Sequence, residues 1–320
     1  MEIVKVDTTH RIKRSIALIL LLITVLWTMT SCKGNSPSQS ASTRVLSPTS
    51  SRTLTATVTH TPNPPTPTPE PLAAVVNDEG ITLAEFQAEF VQYQAALSAT
   101  GKPAPSEADQ KQVVLDDLIN QVLLAQAAKE AGFTVSKQDL QNRIDQLAAN
   151  LGGANGLTDW EKQNGYSDQS FQLSLARSIA AAWQRDQIVS QVPTTADQVH
   201  ARQIRVNTEA EAQSILVKLQ SGVDFATLSF YYERDTGGDL GWFPRGYLTV
   251  PEVEDAAFAL KPGEYSQIIQ SKEGFHIIQV LERDPNHPLS ADARLVLQKQ
   301  ALNKWIDDYR AQSKITALAP

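Results

Sequence analysis

An 84-residue stretch, Val199–Glu282, carries three motifs in order and constrains the fold more than any other part of the sequence. The first motif, Gly237–Phe243, reads GGDLGWF and begins with a double glycine. The second, Glu254–Glu264, reads EDAAFALKPGE, and the third, Gly274–Val280, reads GFHIIQV. With the segments between them, these motifs predict a unit that mixes strands and helices.

The segments around the motifs predict individual elements. Gln203–Val206 predicts a strand, and Thr208 followed by Glu211 predicts the cap of a helix. Further elements are predicted to begin at Asp224 (a second helix), at Pro251 (a third helix) and at Phe275 (a last strand, ending at Leu281).

Taken together, the motifs make this stretch resemble the parvulin-type peptidyl-prolyl cis/trans isomerases. The resemblance implies a four-stranded antiparallel sheet flanked by helices, and an enzyme that needs no cofactor and no metal. An Xaa–Pro bond rotates over a barrier of ~18–20 kcal/mol. Lowering that barrier requires an apolar cleft for the proline ring and polar groups that favour the twisted amide over the planar one.

The resemblance assigns three candidate catalytic positions. His276 matches the histidine of the family's last strand, and Asp235 matches an Asp or Cys after the second helix, although the loop Asp235–Asp239 is shorter than usual. Gln203 stands where the first-strand histidine is expected, and His200 matches a different family position. His276 as a structural histidine and Asp235 as an ordinary loop acid remain open as alternatives.

The resemblance also implies a pocket for the proline ring. Leu240 and Phe243 match the family pattern, Leu248 replaces the usual methionine, and Val253 replaces a phenylalanine. One extra residue near Thr249 shifts the register of this segment. These substitutions reduce the apolar surface that the pocket offers.

The N-terminus predicts export and lipid attachment. Three basic residues between positions 11 and 14 precede a 12-residue apolar run, Ile16–Trp27, which is too short to cross a ~30 Å hydrocarbon core as a helix. The sequence MTSC, ending at Cys32, follows and resembles a bacterial lipobox. We therefore expect a lipoprotein signal peptide and lipidated Cys32 as the membrane anchor, with an uncleaved signal anchor as the alternative. In either case the rest of the chain is extracytoplasmic.

Composition excludes several classes of function and predicts a disordered tether. Cys32 is the only cysteine, so an intrachain disulfide and a cysteine-based metal site are excluded. The net charge of −7 gives no electrostatic basis for binding nucleic acid. Of the 39 residues from Lys33 to Pro71, 24 are Ser, Thr or Pro, a composition that buries too little apolar surface to offset the entropy lost on ordering.

The segment after the tether predicts a helical domain. Thr82 and Glu85 predict a capping box at the start of its first helix. Three more helices, whose apolar stripes predict core positions, are expected at about 106–131, at about 140–151 and, after a glycine break, at about 168–189. Their order resembles the N-terminal helical domain of SurA-like and PrsA-like chaperones.

The C-terminus predicts one more helix. After a predicted turn at Asp284–Pro288, the helix at about 290–314 places Leu302 and Trp305 on one apolar face. An isolated helix of this length is marginal in water and needs a groove. In the resembling foldases, such a helix folds back onto the N-terminal helices.

The expected fold class is therefore α+β, a helical chaperone domain completed by the C-terminal helix, with an inserted parvulin domain. The expected boundaries are 1–31 for the signal peptide, 32–71 for the tether, 72–193 for the helical domain, 194–283 for the parvulin domain and 284–320 for the C-terminal helix.

Three interpretations of function remain open. The first is an active, membrane-anchored prolyl isomerase and folding chaperone that acts on Xaa-Pro segments of unfolded exported proteins, and His276, Asp235 and Phe243 favour it. The second is a parvulin-fold chaperone that holds extended clients with little isomerase activity, and Gln203 and Val253 favour it. The third is a structural lipoprotein.

Overall fold

The computed structural model describes residues 70–318. The predicted signal peptide, Cys32 and nearly all of the tether lie outside the described residues, as do residues 319–320. Within the described part, the chain forms a helical part first, then a unit of strands and helices, and finally a helix that returns to the helical part.

The helical part begins with a hairpin of β1 (Leu72–Val76) and β2 (Glu79–Thr82). The helices that follow are α1 (Leu83–Thr100), α2 (Glu107–Glu130), α3 (Lys137–Asn150), α4 (Ala154–Gln163) and α5 (Asp168–Ser190). Serine or threonine hydroxyls accept an N–H of the first turn at the start of α1, α2, α3 and α5, which explains why these helices begin where they do.

The predicted capping box at the start of α1 is only half formed. The Thr82 hydroxyl accepts the Glu85 N–H over 3.1 Å, as predicted. The Glu85 carboxylate does not return to the Thr82 backbone, because it forms a buried ion pair with Arg177 of α5 over 2.6 Å. The Glu85 side chain, which the local sequence assigned to the helix cap, therefore binds Arg177, a residue distant in sequence.

Sequence analysis missed α4. This helix begins after Gly153, which has no side chain to provide a capping signal. Its Trp160 stacks on Tyr166 with a centroid distance of 6.0 Å and meets the edge of Phe171 at 5.9 Å. Tertiary packing of these rings, rather than a local signal, accounts for the helix.

The expectation that the apolar stripe of the third helix lies in the core is wrong for α3. Leu140, Ile144 and Leu147 are only half-buried, and Leu151 just beyond the helix is exposed. Regular spacing predicted the helix and its apolar face correctly. It did not reveal how far neighbouring helices cover that face.

The second unit is built on an antiparallel sheet in the order β4-β3-β6-β5. Its strands are β3 (Thr195–Val206), β4 (Asp239–Pro244), β5 (Ile269–Ser271) and β6 (Gly274–Pro288), and its helices are α6 (Glu209–Gln220), α7 (Phe225–Tyr232) and α8 (Pro251–Ala259). The helices α6 and α7 pack with Ile277, whereas α8 packs with Ile278. Because successive side chains of a strand point to opposite faces, the two core clusters lie on opposite faces of the sheet. The predicted sheet and its flanking helices are confirmed.

The predicted turn at Asp284–Pro288 is wrong, because β6 continues to Pro288. Thr195 pairs with Pro288, and Ala196 pairs with His287. The next pair along the ladder is Gln198 with Asp284, and the register shift between the two pairs is a bulge that contains Pro285. A bulge tolerates a proline because the inserted residue is not required to donate to the ladder.

The C-terminal segment returns to the helical part through α9 (Ala291–Ala311) and β7 (Ile315–Ala317). Leu302 and Trp305 pack against Leu124 of α2 and against Ala181 and Ile188 of α5. The strand β7 pairs with β1, which gives the order β2-β1-β7. Sequence analysis did not predict β7, because three residues are too few to show a strand periodicity. The predicted fold class, a helical domain completed from the C-terminus with an inserted α+β unit, is confirmed.

We predict that removing residues 289–320 destabilises the helical part. The cut removes the packing of Leu302 and Trp305 together with the third strand of the small sheet. Because full burial of such a side chain contributes ~1.5–3 kcal/mol and these two are half-buried, the loss should be roughly 3 kcal/mol of unfolding free energy. Urea unfolding of the chain from Leu72, with and without these residues, measures it.

A pair of neighbouring substitutions in α9 controls for nonspecific effects. Trp305→Ala should lower the unfolding free energy by about 2 kcal/mol. Lys304→Ala, on the exposed side of α9 where Lys304 forms an ion pair with Asp308, should change it by less than about 0.5 kcal/mol. Equal stability of the cut and uncut chains would contradict the packing of α9 on the helical part.

Candidate active site

His276, near the start of β6, is enclosed by the two neighbouring strands. It lies opposite Arg205 on β3 and opposite Ile269 on β5, and it is 1% exposed. Because side chains alternate along a strand, the imidazole lies on the same face as Ile278, the face that α8 covers.

Gln203 and His276 form a direct side-chain hydrogen bond. The Gln203 Oε1 and His276 Nδ1 atoms are 3.0 Å apart, and His276 Nε2 is 2.8 Å from Ser271 Oγ. An amide oxygen only accepts, so Nδ1 carries the proton and donates to it. Each ring nitrogen therefore has a hydrogen bond, and in the neutral ring Nε2 accepts from the Ser271 hydroxyl.

Burial keeps this ring neutral. Loss of solvation lowers the pKa of His276 below the ordinary histidine value, and the positive charge of Arg205 lowers it further. The carboxylates of Glu273 and Glu252 act in the opposite direction and are weaker. The site therefore presents a neutral polar pair near pH 7, not a cation.

Asp235 is exposed and lies in the turn 234–238, which joins α7 to β4. The hydrogen bonds of the His276 ring go to Gln203 and Ser271, so the structure does not bring Asp235 into that pair. The turn is nevertheless anchored beside the site, because the Gln203 N–H donates to the Gly238 carbonyl over 2.8 Å. Gly238 has a φ of 73°, and a Cβ there would overlap the Gln203 carbonyl oxygen. The double glycine thus allows the turn to approach the strand.

The four residues predicted for the proline pocket belong to one apolar cluster with Ile278. Leu240 and Leu248 keep part of their surface exposed, whereas Val253 is 3% exposed and Phe243 is 0% exposed. Phe243 therefore belongs to the buried core of the cluster and does not offer a surface to the proline ring. Because Gln203 lies opposite Ile278 in the ladder, the cluster and the His276 pair share one face of the sheet.

Sequence analysis missed Ser271. This residue lies five positions before His276, and its pairing with Gly274 closes a tight hairpin between β5 and β6. The hairpin brings the Ser271 hydroxyl back to the ring. Local sequence gives little signal for this hairpin, because its two-residue turn, Lys272-Glu273, lacks the Asn-Gly or Asp-Gly pair typical of such turns.

His200 belongs to a separate network. Its Nε2 is 2.9 Å from Asp239 Oδ1, and its ring stacks on Trp242 with a centroid distance of 5.6 Å. His200 therefore does not take the place of the first-strand histidine that Gln203 replaces.

Between residues 70 and 318, no group of three or more His, Cys, Asp or Glu side chains is arranged to hold a metal ion. In that same part of the chain, no helix is both long and apolar enough to cross a membrane. The apolar run Ile16–Trp27 lies outside it.

Two family models match successive parts of the chain. The SurA-like N-terminal domain matches residues 67–172, and the PPIC-type PPIASE domain matches residues 185–282. The second match includes Gln203, Asp235 and His276.

Individual relatives match across both parts. The foldase protein PrsA of Caldanaerobacter subterraneus subsp. tengcongensis is 31% identical over 245 residues, which cover 65% of this chain and 72% of the relative. The PrsA of Oceanobacillus iheyensis is 30% identical over 221 residues, which cover 62% of this chain and 71% of the relative. A crystal structure of PrsA from Bacillus cereus is 20% identical with a TM-score of 0.43, covering 73% and 85% of the two chains. The first two matches show that this chain belongs to the PrsA-like foldases, as a parvulin-type peptidyl-prolyl cis/trans isomerase and folding chaperone.

Proposed function

We propose that isomerisation takes place beside the His276–Gln203 pair, with the proline ring held against Leu240 and Leu248. The observation that carries this proposal is the 3.0 Å hydrogen bond between His276 Nδ1 and Gln203 Oε1, on the sheet face that also carries the apolar cluster. A desolvated apolar surface next to a fixed polar pair is what rotation of an Xaa–Pro bond requires.

Each part of the site has a proposed task. The exposed parts of Leu240 and Leu248 remove water from the proline ring and from the amide that rotates. The Gln203 amide uses its oxygen for His276 and has two N–H donors on its nitrogen, which suit the carbonyl of the twisting bond. His276, held at its other nitrogen by Ser271, fixes the orientation of that amide.

Asp235 is proposed to act from the rim of the site. Asp235 is exposed, and the buried end of its turn, Gly238, accepts the Gln203 N–H. A carboxylate in this place influences the peptide as it approaches, without belonging to the buried pair. The alternative, an ordinary loop acid, agrees equally with its exposed position.

A second candidate function is a chaperone that binds extended clients with weak isomerase activity. Gln203 in place of a histidine favours it, because a glutamine neither titrates near neutral pH nor changes its donor pattern by moving a proton. The small side chain of Val253, buried in the cluster where the family has a phenylalanine, also favours it.

We further propose where the protein acts and on what. Unfolded or partly folded exported proteins with Xaa-Pro segments are the proposed clients, and lipidated Cys32 is the proposed anchor on the extracytoplasmic side of the bacterial membrane. The tether 32–71 separates that anchor from the domains, for which we propose the boundaries 72–193, 194–283 and 284–320. The net charge of −7 argues against nucleic acid as a partner.

Comparing two histidine variants tests the site. His276→Ala removes the partner of Gln203 and should lower kcat/KM for a short Xaa-Pro peptide by roughly tenfold to a hundredfold, less than the loss of a direct donor because His276 acts by orienting Gln203. His200→Ala removes a histidine of the same sheet from the separate Asp239 network and should change it by less than about twofold. A protease-coupled assay on the full chain, with thermal melts to confirm folding, measures both. A folded His276→Ala variant as fast as the parent would show that the proposed site is wrong.

Restoring the family residue tests whether the missing histidine limits catalysis. If the missing histidine limits catalysis, Gln203→His should raise turnover by about tenfold or more, because one well-placed polar group contributes a few kcal/mol to the transition state. Gln203→Asn, which keeps the amide but shortens its reach, is the matched control and should not accelerate turnover. An unchanged rate in Gln203→His would show that the missing histidine does not limit catalysis, because the pocket has adapted around the glutamine or is no longer catalytic.

A further inference from the structure

Glu254, in the first turn of α8, is a buried carboxylate outside the site described above. It is 7% exposed. Its Oε1 accepts the Gly246 N–H over 2.7 Å, and its Oε2 accepts the N–H groups of Tyr247 and Leu248 over 3.0 and 3.1 Å. One side chain thus holds three successive backbone amides.

These amides belong to the segment Arg245–Val250, here called the pocket loop. The pocket loop joins β4 to α8 and lies outside regular secondary structure, so its N–H groups need acceptors other than a helix or ladder partner. Successive N–H groups that converge on one point form a natural site for an anion. In this chain the anion is a side chain of the helix that the loop leads into.

The pocket loop carries Leu248, and Glu254 directly follows Val253. Both Leu248 and Val253 belong to the apolar cluster proposed to hold the proline ring. The hydrogen bond from the Leu248 N–H to Glu254 therefore fixes Leu248, against which the proline ring is proposed to lie, relative to α8 and its buried Val253. Charge-assisted bonds of this kind are about twice as strong as neutral ones, which suits a loop that must keep one shape.

We propose that Glu254 is a positioning residue for prolyl isomerisation. Its carboxylate holds the pocket loop in the shape that presents Leu248 to the proline ring. This inference rests on the proposed proline pocket. Glu254 does not touch the substrate and acts only through the loop.

The substitution Glu254→Gln tests the inference with little change in size. The glutamine NH₂ group is a donor, so at least one of the three loop amides loses its acceptor and the loop relaxes. Because the Gln203–His276 pair is untouched, we expect KM for an Xaa-Pro peptide to rise by roughly tenfold while kcat stays within about twofold.

The next residue supplies the matched control. Asp255 touches the same loop, but through an exposed ion pair with Arg245 at 2.9 Å. Asp255→Asn removes the same charge from the same helix without removing an acceptor of the loop amides. KM in this variant should stay within about twofold of the parent.

A third variant, Leu248→Ala, separates a failure of the inference from a failure of the proposed pocket. Increases in KM for Leu248→Ala and Glu254→Gln, with Asp255→Asn unchanged, support the inference. An increase for Leu248→Ala alone would leave the pocket standing and overturn the role of Glu254. An unchanged KM in Leu248→Ala would overturn the pocket, and the inference with it.

The division between KM and kcat distinguishes positioning from a general loss of folding. A variant that only lowers the folded fraction reduces the apparent kcat and leaves KM unchanged, and this result for Glu254→Gln would overturn the inference. If Glu254→Gln shows no cooperative unfolding transition, Glu254→Asp is measured instead, with the same expectation. The aspartate keeps the negative charge, and its side chain is one methylene shorter than that of Glu254.

Discussion

The pairing of β3 with β6 is the constraint on which the rest of the structure depends. One end of this antiparallel ladder places Gln203 and His276 on a shared face, close enough for a hydrogen bond. At the other end Thr195 pairs with Pro288, and the Leu289 N–H extends the pairing by donating to the Thr194 carbonyl over 2.9 Å. The chain therefore leaves and re-enters the helical part at neighbouring points. That proximity allows α9 and β7 to complete a domain that begins more than a hundred residues earlier.

The inserted unit also contacts the returning helix near the proposed pocket. Gln300 of α9 donates from its side chain to the carbonyl of Gly246 in the pocket loop. Gly246 has a φ of 84°, which favours glycine. A Cβ at this position would also crowd the Gln300 amide, so the contact between the pocket loop and α9 requires glycine as well. The pocket loop thus lies between Glu254 of its own unit and the C-terminal helix of the chaperone half.

Sequence reasoning succeeded where signals are local and failed where they are distant. The bounds of α2 and α5, which have serine caps, were predicted almost to the residue, because the cap and the apolar period lie within one segment. The ion pair of Glu85 was not predicted, because its partner Arg177 lies 92 positions away. The strand β7 and the extension of β6 to Pro288 likewise depend on pairing partners far away in sequence.

The candidate site divides in the same way. Family resemblance selected His276 and Gln203, and the structure places them in contact. It could not reveal that Ser271 completes the pair or that Phe243 is fully buried, because both facts follow from three-dimensional packing. The catalytic roles of these residues, and of Asp235, stay predictions.

The account rests on a neutral His276 held between Gln203 and Ser271, and ¹⁵N NMR of the imidazole ring tests this most directly. We predict that Nδ1 carries the proton and that the ring titrates at a pH below ~6.5, the value for an unperturbed histidine. The unfolded chain then binds this proton first, so the folded state should lose stability as the pH falls below that value. A ring that carries its proton on Nε2, or that titrates at or above ~6.5, would contradict the account.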